Sequence, residues 1–257
     1  MIAFARLAAM LSILAALAML SAVSASAKSQ WISVGASHEM RAYLVTPEGP
    51  GPFPAMLVLH TSGGLQGADT AFADRLSREG YVALVPALLE AYSISPQQRR
   101  LAFTADAPSI FDDFTAALET LRRTEKVDGT RLAALGFSNG GYFALWLAAA
   151  GKVRCGVAYY GALIGAGTDA SLLRFRNAFS SKSSPVLVLH GEADATVPVG
   201  AAYQLLEILR TAHAPYEAKI FPGADHVFDR ALRNVADCAA AEEAWTLTSA
   251  FLRRYPS

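Results

Sequence analysis

The sequence predicts a fold of the α/β class, with a mostly parallel central sheet covered by helices on both faces. Three observations predict it. Short β-rich runs alternate along the chain with longer stretches of helical periodicity. One of those runs, 55–60, is almost continuously apolar, as a strand buried on both of its faces must be. The chain has 257 residues, and the roughly 230 left after an apparent export segment suit a single domain around one sizeable core.

Taken in order, 31–34 and 40–46 read as an opening antiparallel pair. A Pro/Gly turn over 47–54 leads into Ala55-Met-Leu-Val-Leu-His60, and a Gly-rich turn at 62–67 follows. Phe72 and Leu76 set the period of a helix over 69–79 that Gly80 ends, and 81–85 returns as a strand stopped by Pro86. Periodicity weakens over 87–108, a candidate pocket wall. A helix over 109–124 then carries Ile110, Phe114, Leu118 and Leu121 on one face. The next strand is 131–136 and the next helix 140–150, which puts Phe137-Ser138-Asn139 at a strand-to-helix turn. Three more strands, 153–160, 185–190 and 218–221, are separated by a polar segment at 165–184 and a helix over 199–211. A last helix over 236–254 closes the domain.

Composition narrows the function. Hydrophobic residues make up 53% and charged residues 17%, which excludes the polar, highly charged composition of a disordered chain. Lys plus Arg and Asp plus Glu both total 22 and no basic run occurs, so a nucleic-acid partner has no electrostatic footprint. Residues 1–27 have the form of a signal peptide: Arg6, an apolar stretch over 7–20, and the exit Ala25-Ser26-Ala27. Cleavage before Lys28 would release a periplasmic or secreted domain without stable membrane insertion. The alternative is an uncleaved anchor, since the apolar run is near bilayer-spanning length. An oxidising compartment would permit a Cys155–Cys238 bond, with two unpaired apolar residues as the alternative. Neither a C-x-x-C nor an H-E-x-x-H pattern occurs, so neither a metal nor another cofactor is expected.

Gly136-Phe-Ser138-Asn-Gly140 fits G-x-S-x-G, in which small neighbours let the backbone make a cramped turn that lifts the serine hydroxyl above the sheet. A hydroxyl is a poor nucleophile at neutral pH, so it needs a base in reach and a third group to fix that base's tautomer. The order serine, acid, histidine supplies both. Asp194 follows the strand at 185–190, with Glu192 as the nearest rival, and His226 follows the strand at 218–221; both loops lie on the rim that carries Ser138. Taken singly, Asp194 has a helix N-cap as its alternative reading and His226 a surface loop histidine; their order with the serine favours the triad. His38, His213 and His60 are discounted, His60 as a residue that shapes the turn after its strand. For the oxyanion, the N–H of Asn139 is one expected donor and that of Ser62 the other, with Gly63 next.

Together these stretches resemble the dienelactone hydrolase family of the α/β-hydrolase superfamily. The matching segments are Leu57 to Gly64, Glu79 to Pro86, Gly136 to Gly141, His190 to Pro198 and Gly223 to His226. The better-known members carry cysteine where this chain has Ser138, and an acidic residue where it has Thr61. The resemblance implies a single-domain α/β-hydrolase fold and cofactor-free cleavage of an ester, lactone or thioester of a small molecule. It also puts Arg230 at the four-residue offset from His226 where those enzymes hold a substrate carboxylate. The alternative for Arg230 is an ion pair with Asp229 or another surface acid. Two other functions stand beside esterase chemistry, a peptidase with the same triad and a ligand-binding domain that has lost catalysis.

Overall fold

A computed structural model of the protein describes residues 27–95, 97–99, 102, 105–163, 170–232 and 234–255. The predicted signal peptide lies outside the described residues except for Ala27. Among those residues, no helix is long and apolar enough to cross a membrane.

The chain forms an eight-stranded sheet in the order β1-β2-β4-β3-β5-β6-β7-β8. Its strands are β1 (Lys28–Val34), β2 (Met40–Thr46), β3 (Phe53–Leu59), β4 (Val82–Pro86), β5 (Val127–Phe137), β6 (Cys155–Tyr159), β7 (Val186–Gly191) and β8 (Tyr216–Phe221). β1 pairs antiparallel with β2 and β2 with β4, while the remaining pairs are parallel. The helices are α1 (Gly67–Arg78), α2 (Leu88–Ala91), α3 (Ala107–Arg122), α4 (Asn139–Ala149), α5 (Ala170–Ala178), α6 (Val199–Thr211), α7 (Phe228–Ala231) and α8 (Val235–Arg254).

Period-two alternation divides the inner strands between two cores. In β3, Ala55, Leu57 and Leu59 face the layer of α3 to α6, where Phe114, Leu145, Phe175 and Leu205 pack. Met56 and Val58 face the other layer, with Leu76 of α1, Phe228 of α7 and Phe251 of α8. Each fully buried aliphatic or aromatic side chain of this kind contributes about 1.5–3 kcal/mol of transfer free energy. Both faces of these strands are therefore apolar, which is why the runs read as uninterrupted.

Three expectations change in detail. Pro86 closes β4 instead of stopping it one residue earlier. It pairs with Ala42 of β2, while the β3 ladder has already ended at Leu84, so its missing N–H costs no bond there. The weakly periodic 87–108 stretch contains α2, and the polar segment at 165–184 contains α5. Leu172, Phe175 and Phe179 of that segment are buried at spacings of three and four.

Strand order reverses at β3: the chain moves outward to β4 and then returns to β5 on the other side. In open α/β sheets a ligand crevice forms beyond the carboxyl ends of the strands at such a reversal. The β3 end carries His60 to Ser62 and the β5 end carries Ser138.

Candidate active site

Ser138 sits between β5 and α4 with φ 50° and ψ −107°, a strained conformation for a residue with a side chain. Backbone bonds hold it there. Its N–H donates to the Tyr159 carbonyl at 2.9 Å, and its carbonyl accepts from Ala162 at 2.8 Å and Tyr142 at 3.2 Å. The turn closes only because its flanks are glycine. A Cβ on Gly136 would meet the Gly140 carbonyl at 2.1 Å, and one on Gly140 would meet the Leu59 carbonyl at 2.1 Å.

The loops after β7 and β8 bring two more side chains to the serine. His226 Nε2 lies 3.1 Å from Ser138 Oγ, and His226 Nδ1 lies 2.7 Å from Asp194 Oδ2. Asp194 is fixed independently of the histidine, since its Oδ1 accepts the N–H groups of Val197 (2.7 Å) and Thr196 (2.9 Å). Its carboxylate is fully buried. Glu192, the rival acid, is exposed and takes the Gly223 N–H instead. Asp225 laces the two loops together, accepting from Ala195 at 3.1 Å and from the His226 N–H at 2.6 Å.

Two buried histidines brace this arrangement. His60 must donate from Nδ1 to the Thr61 carbonyl (2.6 Å), because its Nε2 accepts the Leu88 N–H (3.1 Å); it is therefore neutral. Burial lowers its pKa. The ring thus pins the turn after β3 to the start of α2, the shaping role read from the sequence. His190 donates from Nε2 to the Val197 carbonyl at 2.8 Å, and burial lowers its pKa as well. His38 is engaged elsewhere, against Asp113 at 3.2 Å.

In the turn after β3, Thr61 occupies two of the amides: Gly63 N–H donates to its hydroxyl (3.1 Å) and Gly64 N–H to its carbonyl (3.2 Å). The Ser62 N–H has no hydrogen-bond partner among the described residues. Asn139 is the first residue of α4, where a backbone N–H has no carbonyl of its own helix to meet.

The family model of the dienelactone hydrolase family matches residues 40–256. The chain belongs to the dienelactone hydrolase family. A relative from Methylorubrum extorquens, named for carboxymethylenebutenolidase activity, is 31% identical over 83% of this chain and 76% of its own length. Another, from Bradyrhizobium and named for 2-oxo-3-(5-oxofuran-2-ylidene)propanoate lactonase activity, is 28% identical over 87% of this chain and 93% of its own. Among solved structures, one named as a dienelactone hydrolase of Klebsiella pneumoniae superposes with a TM-score of 0.77 at 24% identity. That match covers 89% of this chain and 99% of the other. As a member of this family, the chain is a hydrolase acting on small molecules.

The other residues singled out in the sequence fall as follows. Arg230, at the dienelactone hydrolase substrate-arginine offset, lies on α7 with Nε 3.2 Å from Asp229 Oδ2. Its Nη1 lies 2.8 Å from Oδ1 of Asp69, a partner that sequence reasoning missed. Both cysteines are free; Cys155 is buried, with its thiol pushed up to about 12, and Cys238 is exposed. A cavity of about 540 Å³ adjoins Ser62, with Leu89, Glu90, Ile94 and Arg99 of the weakly periodic stretch in its wall. Among the described residues, no cluster of His, Cys, Asp or Glu could hold a metal ion.

Proposed function

We propose that the protein is a serine hydrolase that cleaves a carboxylic ester, lactone or thioester through an acyl-enzyme. Ser138 is the nucleophile, His226 the base, Asp194 the group that orients it, and the amides of Asn139 and Ser62 receive the oxyanion. The observation that carries the reading is the unbroken line from Asp194 Oδ2 through His226 to Ser138 Oγ.

A proton on Nδ1 held by Asp194 leaves the Nε2 lone pair facing the serine hydroxyl. As Oγ attacks the substrate carbonyl carbon, Nε2 takes its proton and the carbonyl oxygen becomes an oxyanion between the two amides. Collapse breaks the bond to the leaving group, which departs with the proton from Nε2. Water then repeats the sequence on the acyl-enzyme, with His226 again as base. Lactonase and butenolidase activities named for the relatives support ester and lactone substrates; a thioester would follow the same path.

A fluorophosphonate probe is expected to label the wild type and not Ser138→Ala, with ester turnover falling by about 10⁴-fold or more in the variant. Equal labelling of the two proteins would end the proposal. The leader supports export to the periplasm or beyond. Mass spectrometry of the protein from its native host should find Lys28 as the mature N-terminus, and an intact Met1 would refute cleavage.

A further inference from the structure

Arg230 and the acids around it lie outside the line from Asp194 to Ser138, yet they join the loops on which it depends. Arg230 Nη1 reaches Asp69 Oδ1 at 2.8 Å and Nε reaches Asp229 Oδ2 at 3.2 Å. Its guanidinium lies over the Phe137 ring at 4.2 Å, next to the nucleophile in sequence. Asp69 is fully buried, and its second carboxylate oxygen accepts the Gln66 N–H at 2.9 Å, closing the capping box that starts α1. Immediately before that box is the 61–65 turn with the Ser62 amide. In the other direction, Asp229 Oδ1 accepts a short hydrogen bond from the Tyr160 hydroxyl, and the Tyr160 ring packs edge-on against His226 with centroids 4.7 Å apart.

A continuous chain therefore runs from the ring beside His226 through Asp229, Arg230 and Asp69 to Gln66, the residue that follows the oxyanion turn. Two of the three guanidinium nitrogens are committed to these carboxylates. The third, Nη2, is buried without a partner among the described residues.

We propose that Arg230 is a positioning residue that holds the His226 loop and the oxyanion turn in register. The proposal rests on the serine-hydrolase reading. Three roles for Arg230 predict different kinetics. A ligand for the substrate carboxylate acts on anionic substrates through KM. A purely structural ion pair alters the amount of folded enzyme. A positioning residue lowers kcat in every folded molecule whatever the charge of the substrate.

The test compares wild type, Arg230→Gln, Arg230→Lys, Asp69→Asn and the Arg230→Gln/Asp69→Asn double variant. Substrates are p-nitrophenyl acetate and a p-nitrophenyl ester with a carboxylate on its acyl chain, and rates are normalised to fluorophosphonate-titrated sites. Arg230→Gln and Asp69→Asn should each lower kcat about tenfold on both esters, less than the loss of a whole oxyanion donor, with KM within about threefold. The double variant should be no worse than the poorer single, because both break one chain of contacts, and Arg230→Lys should regain part of the loss. A KM rise confined to the anionic ester in Arg230→Gln, or an unchanged kcat per titrated site in Asp69→Asn, would overturn the proposal. If Arg230→Gln fails to fold, Asp69→Asn, nearly isosteric, carries the same comparison. A wild type that the probe does not label would instead remove the serine-hydrolase reading itself, before any variant is compared.

Discussion

Ser138 holds φ 50°, a value that costs a side-chain-bearing residue about 1–3 kcal/mol. Replacing it with glycine removes that strain, whereas alanine keeps the Cβ that causes it. Glycine also gains more unfolded-state entropy, about 0.5–1 kcal/mol in the opposite direction. The expected net result is that Ser138→Gly is inactive and about 1 kcal/mol more stable than Ser138→Ala, read from urea midpoints; a glycine variant less stable than the alanine variant by about the full entropy cost would mean that the elbow stores no strain. Asp194 allows a second test at this scale. Asparagine can keep the oxygen that receives the Thr196 and Val197 N–H groups, but its amide replaces the oxygen that accepts from His226 Nδ1. Asp194→Asn should keep its melting temperature within a few degrees while kcat falls by about 10⁴-fold, the loss expected when the imidazole adopts the wrong tautomer. A kcat near that of wild type would show that Asp194 does not orient the base.

The end of β7 and the loop after β8 approach each other closely at Gly191. A Cβ there would meet the Ala224 carbonyl oxygen at 2.3 Å and its carbon at 2.8 Å, both backbone atoms that cannot swing aside. Gly191→Ala should therefore part the loops that hold Asp194 and His226. The expected cost is about 2–3 kcal/mol of stability together with a fall in kcat at unchanged KM; a variant with wild-type kcat would show that the loops tolerate separation. The sequence exposes the elements on either side of this contact and hides the contact itself. β3, the 132–137 end of β5, β6 and β7 are legible because burial on both faces leaves apolar runs, whereas the polar, partly exposed start of β5 at 127–130 is not; the order of the Ser138, Asp194 and His226 motifs is legible because each follows a strand end. α5 is obscured by the glycines before it and the serines after it, although Leu172, Phe175 and Phe179 keep helical spacing. The Arg230–Asp69 pair is invisible for another reason. Its partners are 161 residues apart, and no local period relates them, so only the closed sheet brings them together.

Across the whole molecule, the site is braced by two neutral histidines, one just after β3 and one near the end of β7, and this ties its integrity to pH. His60 secures the turn after β3 and His190 the loop that carries Asp194, each as a neutral ring fixed by hydrogen bonds to backbone. Burial lowers both pKa values below the ordinary 6.5. Above that value the rings are neutral in folded and unfolded chains alike, and they add no pH dependence. Below it, the unfolded chain takes up protons that the folded chain refuses, so the stabilisation is present above about pH 6.5 and is lost progressively as pH falls toward the depressed folded values. The urea midpoint should therefore drop between pH 7 and pH 5, before most carboxylates begin to titrate. A His60→Gln/His190→Gln variant, whose amides offer a donor and an acceptor but no titration, should show a flatter dependence over the same interval. Identical slopes in the two proteins would place the acid sensitivity on other groups. A flatter slope in the double variant would show that the turn bearing Ser62 and the loop bearing Asp194 stay folded on condition that two buried imidazoles remain uncharged.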